Sequence, residues 1–251
     1  MSALFDRLRA LRPGASVPQI LFYEFCRRVC ALVLILFFRY KPFHRERVPA
    51  TGPLIIAANH QSYLDPPMVG CLLSQRGLTY VARAGLFRFK PFGWLIGAVG
   101  SVPLKEDEGD AGAIREFIRQ LGMGRAVLIF PEGSRTRTGA MGPFKRGVAL
   151  LVKKAKCPVQ PVAVEGVFDA WPRGGLPRPF VSRVAVMYGQ PIAYDELMKD
   201  GADAALERLR REIDAMRLEL RAKLREASHG TYPRPGPGDA PATANDDAQP
   251  G

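Results

Sequence analysis

Leu54-Ile55-Ile56-Ala57-Ala58-Asn59-His60-Gln61-Ser62-Tyr63-Leu64-Asp65-Pro66-Pro67 is the stretch on which the fold turns. Five apolar residues in a row, too few for a stable helix and β-branched at their centre, read as a strand buried on both faces. The polar run that follows ends it. Asp65 and Pro66, standing before Met68-Val69-Gly70-Cys71-Leu72-Leu73, read as a helix N-cap with proline at the first helical position. The same alternation recurs outward along the chain. Runs at 78–82, 100–104, 126–130, 159–164 and 184–188 have strand character, and Gly, Pro or polar turns and helix-like segments separate several of them. The expected fold is α/β, with a mostly parallel or mixed central sheet flanked by helices.

His60 sits just past the C-terminal end of its strand, the edge at which α/β sheets bind ligands. Asp65 lies five residues on, about 140° away on a regular helix, so the two meet only if a turn intervenes. In such a turn Asp65 accepts the imidazole N–H, fixes the tautomer and stabilises the imidazolium formed when His60 takes a hydroxyl proton. A His-x4-Asp spacing is weak by itself. Phe130-Pro131-Glu132-Gly133-Ser134-Arg135 ends the run at 126–130 and sets a carboxylate, a glycine and a forked guanidinium donor at another strand end, suited to a phosphate. An ordinary Pro-Gly turn with solvated charges is the plainer reading of that motif alone.

The chain has 251 residues, 47% hydrophobic and 24% charged, which excludes a disordered or fibrous protein. A net charge of +12 favours an anionic partner: nucleic acid, a membrane surface or a phosphorylated substrate. Cys26, Cys30, Cys71 and Cys157 form no CxxC pair, so they read as reduced and mostly buried, with no metal site. Histidines are confined to His44, His60 and His229, which leaves His60 as the candidate base; the other two read as solvated.

Residues 1–47 form a basic N-terminal helical membrane-contact segment, with nine Lys or Arg against three acids. The start is charged throughout, so no cleavable signal peptide is expected. The apolar run 29–38 covers only ~15 Å as a helix and is too short to span a bilayer alone. It reads either as a tilted monotopic anchor or as a core helix docked on its own domain. Residues 48–227 form the α/β domain. They end in an amphipathic helix over 203–226 that packs Leu206, Leu209, Ile213, Met216, Leu220 and Leu224 on the sheet. Residues 228–251, dominated by Pro, Gly, Ala and Asp, read as a disordered tail.

The two leading motifs together resemble the glycerolipid acyltransferase family, typified by lysophosphatidic acid acyltransferases: N-H-x-S-x-x-D at 59–65 and F-P-E-G-S-R at 130–135, about 70 residues apart. Arg83-Ala84-Gly85-Leu86-Phe87 with Gly100-Ser101-Val102-Pro103-Leu104-Lys105 is similar to the family's acceptor-binding block. Phe144-Lys145-Arg146-Gly147 is similar to its F-K-x-G segment, and Cys157-Pro158-Val159-Gln160-Pro161-Val162 to its proline-containing strand. The chain departs from many members at Arg83, Gly85 and Lys105, where they carry lysine, glutamate and arginine.

What the resemblance implies is transfer of an acyl group from acyl-CoA or acyl carrier protein to the free hydroxyl of lysophosphatidic acid, giving phosphatidic acid in phospholipid biosynthesis. His60 is then the base and Asp65 its orienter. Arg135, Lys105 and Arg83 neutralise the acceptor phosphate, and Glu132, Gly133 and Ser134 belong to the substrate-binding loop. No bound cofactor or metal is called for. The resemblance also implies membrane phospholipids as partners and a peripheral or monotopic place on the cytoplasmic face, and it tips the apolar helix toward an anchor. No G-x-S-x-G elbow is present, which counts against a lipase-type hydrolase. The competing readings are the same chemistry on another lyso-lipid such as a lyso-ornithine lipid and, more distantly, a non-catalytic anionic-lipid or nucleic-acid binding module. No nucleic-acid motif accompanies the charge.

Overall fold

The computed structural model describes residues 14–104 and 109–242. Seven strands form one sheet: β1 (Lys41–Phe43), β2 (Leu54–Ala58), β3 (Leu78–Arg83), β4 (Ser101–Leu104), β5 (Ala126–Ile129), β6 (Val159–Glu165) and β7 (Ala185–Tyr188). Their spatial order is β1-β7-β6-β2-β5-β3-β4. All neighbours run parallel except β6 and β7, so the sheet is mixed. The quoted stretch supplies the central strand. Each residue of β2 is buried, and alternate side chains serve opposite layers: Leu54, Ile56 and Ala58 one, Ile55 and Ala57 the other.

The first layer holds α1 (Val17–Phe38), α2 (Asp65–Cys71) and α6 (Val167–Ala170). The second holds α4 (Gly109–Gly122), α5 (Gly147–Ala155), α7 (Tyr194–Met198) and α8 (Ala202–Ala227). The remaining helix, α3 (Lys90–Ala98), lies against β4 and α1. Because β2, β5, β3 and β4 are neighbours and mutually parallel, their C-terminal ends share one edge of the sheet. Asn59, Phe130, Arg83 and Leu104 stand along it. Strand β1 escaped the sequence reading because it is three residues long and contains Pro42, a residue without an N–H that is tolerated on an edge.

The N-terminal helix does not choose between the two expected roles. Ile20, Tyr23, Ala31, Leu34 and Phe38 are buried, and Glu24 pairs with Arg27 at 2.7 Å within this docked face. The opposite face exposes Leu21, Phe25, Val29, Leu32 and Leu36 to solvent. Among the described residues no helix is long and apolar enough to cross a membrane.

The expected disordered tail is corrected for its first part. Residues 228–242 lie against α8 and the end of β6. Tyr232 is buried and donates to the Gly166 carbonyl, and Arg217 donates to the carbonyls of Gly238 (2.6 Å) and Ala240 (3.2 Å). Composition missed this because main-chain carbonyls, present in any sequence, do most of the binding. Residues 243–251 lie outside the described residues.

Candidate active site

Asn59 is the first residue past β2, and its side chain continues the sheet. The amide accepts from Val164 N (2.8 Å) and donates to Val164 O (3.0 Å), so one side chain satisfies both main-chain groups of Val164 where the β2–β6 ladder ends. The register of His60 is therefore fixed from the sheet outward.

The chain then turns around one carboxylate oxygen. Asp65 Oδ2 accepts from Gln61 N (2.6 Å), Ser62 N (2.8 Å) and His60 Nδ1 (2.7 Å). The two amides bend residues 60–62 and bring the imidazole back to a partner five residues away. Asp65 is the first residue of α2, with Leu64 at the N-cap, so the expected N-cap role is corrected. Its carboxylate organises the preceding turn because those amides converge on it. An oxygen already accepting from two amides meets His60 as an acceptor, which assigns the proton to Nδ1 and leaves Nε2 as the basic nitrogen. Asp65 is 0% exposed. Burial raises its pKa, opposed by His60 and the Ser62 and Gln61 amides.

The second motif reaches His60 through the backbone. Glu132 Oε1 accepts from His60 N (2.6 Å) and Oε2 from Gly142 N (2.8 Å), while Thr136 N donates to His60 O (2.8 Å). Phe130 stacks on the imidazole with centroids 3.9 Å apart and planes 14° from parallel. Both Glu132 oxygens are occupied by main-chain amides, and the side chain works as a clamp on the base. Burial pushes its pKa up to about 8, against the stabilising amides of Gly142 and His60. Gly133 has φ +71°, and a Cβ there would run into the Lys145 side chain, so the bend needs glycine.

Arg135 leaves this loop with its guanidinium 3.6 Å above the Tyr63 ring, and among the described residues its buried Nη1 has no hydrogen-bond partner. A desolvated donor without an acceptor is costly, and a forked guanidinium has the geometry to meet an anion. Ser134 is exposed in the same loop. Arg83 closes β3 and pairs in register with Leu104, so its backbone stands on the same sheet edge. Lys105 lies outside the described residues. Motif reading had missed Phe130, Thr136, Gly142 and Tyr63 as partners of the site. The aromatic immediately before Pro131 was the one available signal.

Gln61 points the other way, into the interior. It donates to Glu165 Oε2 (3.2 Å), whose carboxylate also meets Arg217 (3.4 Å) and Arg221 (2.9 Å) from α8. Arg217 and Arg221 pair in turn with Asp214 and Asp239. Trp171 joins the opposite rim: its carbonyl accepts from Ser62 Oγ (3.0 Å), its ring meets Tyr63 edge-on at 5.8 Å, and its indole N–H donates to Gly175 O (3.0 Å).

The sequence model of the family described as Acyltransferase matches residues 42–165, which contain both motifs. A chloroplastic 1-acyl-sn-glycerol-3-phosphate acyltransferase of Brassica napus is 29% identical over 68% of this chain and 47% of its own length, so the chain spans about half of that relative. A lyso-ornithine lipid O-acyltransferase of Pseudomonas aeruginosa is 32% identical over 67% of this chain and 65% of its own. The crystal structure of the 1-acyl-sn-glycerophosphate acyltransferase of Thermotoga maritima superposes with a TM-score of 0.61 at 22% identity. It covers 86% of this chain and 88% of that one, a likeness of fold. With the family model and these relatives in view, the chain belongs to the acyltransferase family.

Proposed function

We propose that this chain transfers a fatty acyl group from an acyl thioester, of coenzyme A or of acyl carrier protein, to the free hydroxyl of lysophosphatidic acid. The observation that carries the reading is the His60–Asp65 pair at 2.7 Å, with the second imidazole nitrogen uncommitted and Arg135 Nη1 buried without an acceptor among the described residues. His60 Nε2 takes the hydroxyl proton, and the oxygen attacks the thioester carbonyl. The tetrahedral intermediate collapses to an ester and expels thiolate, which recovers the proton from the imidazolium as free thiol. Asp65 stabilises the imidazolium while it lasts. Arg135 holds the acceptor phosphate, and the family resemblance adds Arg83 and Lys105 to that role.

The acceptor is amphiphilic, and the exposed apolar face of α1 supports the reading that this enzyme works as a peripheral or monotopic protein on the cytoplasmic face of a membrane. Trp94 of α3 extends that face, meeting Phe22 at 5.2 Å. The likeness to a relative named for a lyso-ornithine lipid favours one second reading, the same chemistry on that acceptor. Purified protein given mixed lyso-lipids and both kinds of thioester decides between them, with products identified by mass spectrometry. Phosphatidic acid as the main product supports the reading, and acylated ornithine lipid alone overturns it. His60→Ala is expected to abolish transfer with the fold intact; near-normal turnover by that variant would end the mechanism.

A further inference from the structure

A cavity of about 250 Å³ opens between the loop 171–183 and the segment following α8. It shares no residue with the catalytic group. Its hydroxyls are already spent: Ser182 Oγ donates to Arg178 O (2.7 Å), Thr231 Oγ1 to Ser228 O (2.7 Å), and Tyr232 Oη to Gly166 O. Asp169, the one carboxylate in the lining, accepts from the Arg234 amide at 3.1 Å. Two guanidiniums therefore face one carboxylate, and the lining keeps a net positive charge. Arg178 and Arg234 both line the cavity, and among the described residues neither guanidinium has a hydrogen bond or ion pair.

The rim is apolar in the direction of α1. Val181, also in the lining, is 68% exposed and its neighbour Phe180 is 60% exposed. Phe180 donates its amide to Phe37 O at 2.5 Å, and the two rings lie 4.9 Å apart, so the loop borders the exposed apolar face of α1. Two forked donors lining one cavity beside an apolar seam suit a molecule that is anionic at one end and hydrocarbon at the other. A soluble phosphate has no use for the seam.

We infer that this cavity binds the phosphate of an anionic glycerophospholipid through Arg178 and Arg234, with the acyl chains laid along Val181, Phe180 and the exposed face of α1. The inference rests on the membrane-contact part of the function proposed above, and it adds a lipid site separate from the one at Arg135.

The test uses the full chain and vesicles of phosphatidylcholine with or without phosphatidylglycerol, read by sedimentation. Arg178→Gln with Arg234→Gln is expected to lower partition onto the phosphatidylglycerol vesicles by roughly fivefold for each guanidinium removed, and to leave binding to phosphatidylcholine unchanged. A control removes the same charge elsewhere, with Lys153→Gln and Lys154→Gln at the end of α5, and is expected to change partition less than twofold. Equal losses in the two double variants would show a diffuse field and overturn the site, as would no loss in the first.

Titration with a short-chain phosphatidylglycerol below its micellar concentration removes the membrane from the question. Saturable binding by the wild type, lost in the Arg178/Arg234 variant and not reproduced by inorganic phosphate, supports the lipid. Equal binding of inorganic phosphate, or no binding, overturns it. Turnover of a dispersed short-chain lysophosphatidic acid separates this claim from the catalytic one: the Arg178/Arg234 variant keeps it, whereas His60→Ala loses it and still binds the vesicles.

Discussion

Replacing Asp65 with Asn removes one charge and almost no volume from the buried turn that holds His60. The imidazolium exists only while the substrate proton is in transit, so its attraction to Asp65 belongs to the transition state and is absent from the resting enzyme. At the observed 2.7 Å, and with an effective dielectric of about 20, the attraction between full charges is about 6 kcal/mol. His60 retains 19% side-chain exposure, and the proton is only partly transferred at the barrier, so about 3–4 kcal/mol is lost in practice. That corresponds to a fall in kcat of roughly 200- to 1,000-fold. KM for the acceptor should hardly move, because no acceptor contact is removed.

The same substitution has a separate structural cost. Oδ1 of Asp65 has no hydrogen-bond partner among the described residues, and an amide nitrogen placed there would be an orphaned buried donor, worth about 1–3 kcal/mol of stability. For a chain of this size each 1 kcal/mol lowers Tm by about 2–4 °C. The assay follows thiol release from an acyl thioester at temperatures well below the melting transition, with Tm measured on the same preparation. Turnover within tenfold of wild type in a folded Asp65→Asn protein would refute the assignment of Asp65 as the partner that stabilises the imidazolium.

Three further outcomes are expected. In the wild type, Glu132 holds its proton in the folded state up to about pH 8 but only to the ordinary carboxylate range when unfolded, so its contribution to stability declines as pH rises between those limits. Glu132→Gln should flatten that slope in chemical denaturation, and it should also lower activity, since an amide cannot accept from both His60 N and Gly142 N; an unchanged slope would remove burial as the cause. Arg135→Lys replaces a fork with a point charge and should raise KM for a phosphate-bearing acceptor about tenfold with a smaller effect on kcat, measured by initial rates over an acceptor series. Gln61→Met keeps the volume but cuts the link to Glu165, and kcat is expected to fall about tenfold through loss of positioning while KM holds; a lower Tm with unchanged kcat would reduce Gln61 to a packing role.

The local parts of this structure were legible and the long-range parts were not. Strand β2 could be read because five consecutive apolar residues followed by Asn-His-Gln-Ser have few other solutions. His60 and Asp65 could be paired because both lie in one turn. Glu132 reads in sequence only as part of the substrate-binding loop, and its hydrogen-bond partners, the His60 and Gly142 amides, are backbone atoms with no signature in sequence. The spacing over 203–226 reads as an amphipathic helix packed on the sheet by its leucines, and nothing in it marks two of its arginines for burial. Arg217 and Arg221 are buried because Glu165, more than 50 residues earlier, meets them at the end of β6, a pairing that helical spacing cannot reveal.

That last pairing bears on how the chain could be divided. The stretch matching the family model stops at Glu165, the residue whose charge is compensated from 217 and 221. Excising 42–165 would strand a bare carboxylate beneath the catalytic turn and strip away β7 and α8, and losing even one partner of a buried pair costs about 3–5 kcal/mol. The borders of sequence likeness and the borders of mechanical independence therefore fall in different places, and the smallest working unit of this protein extends at least as far as the segment that neutralises Arg217 and Arg221.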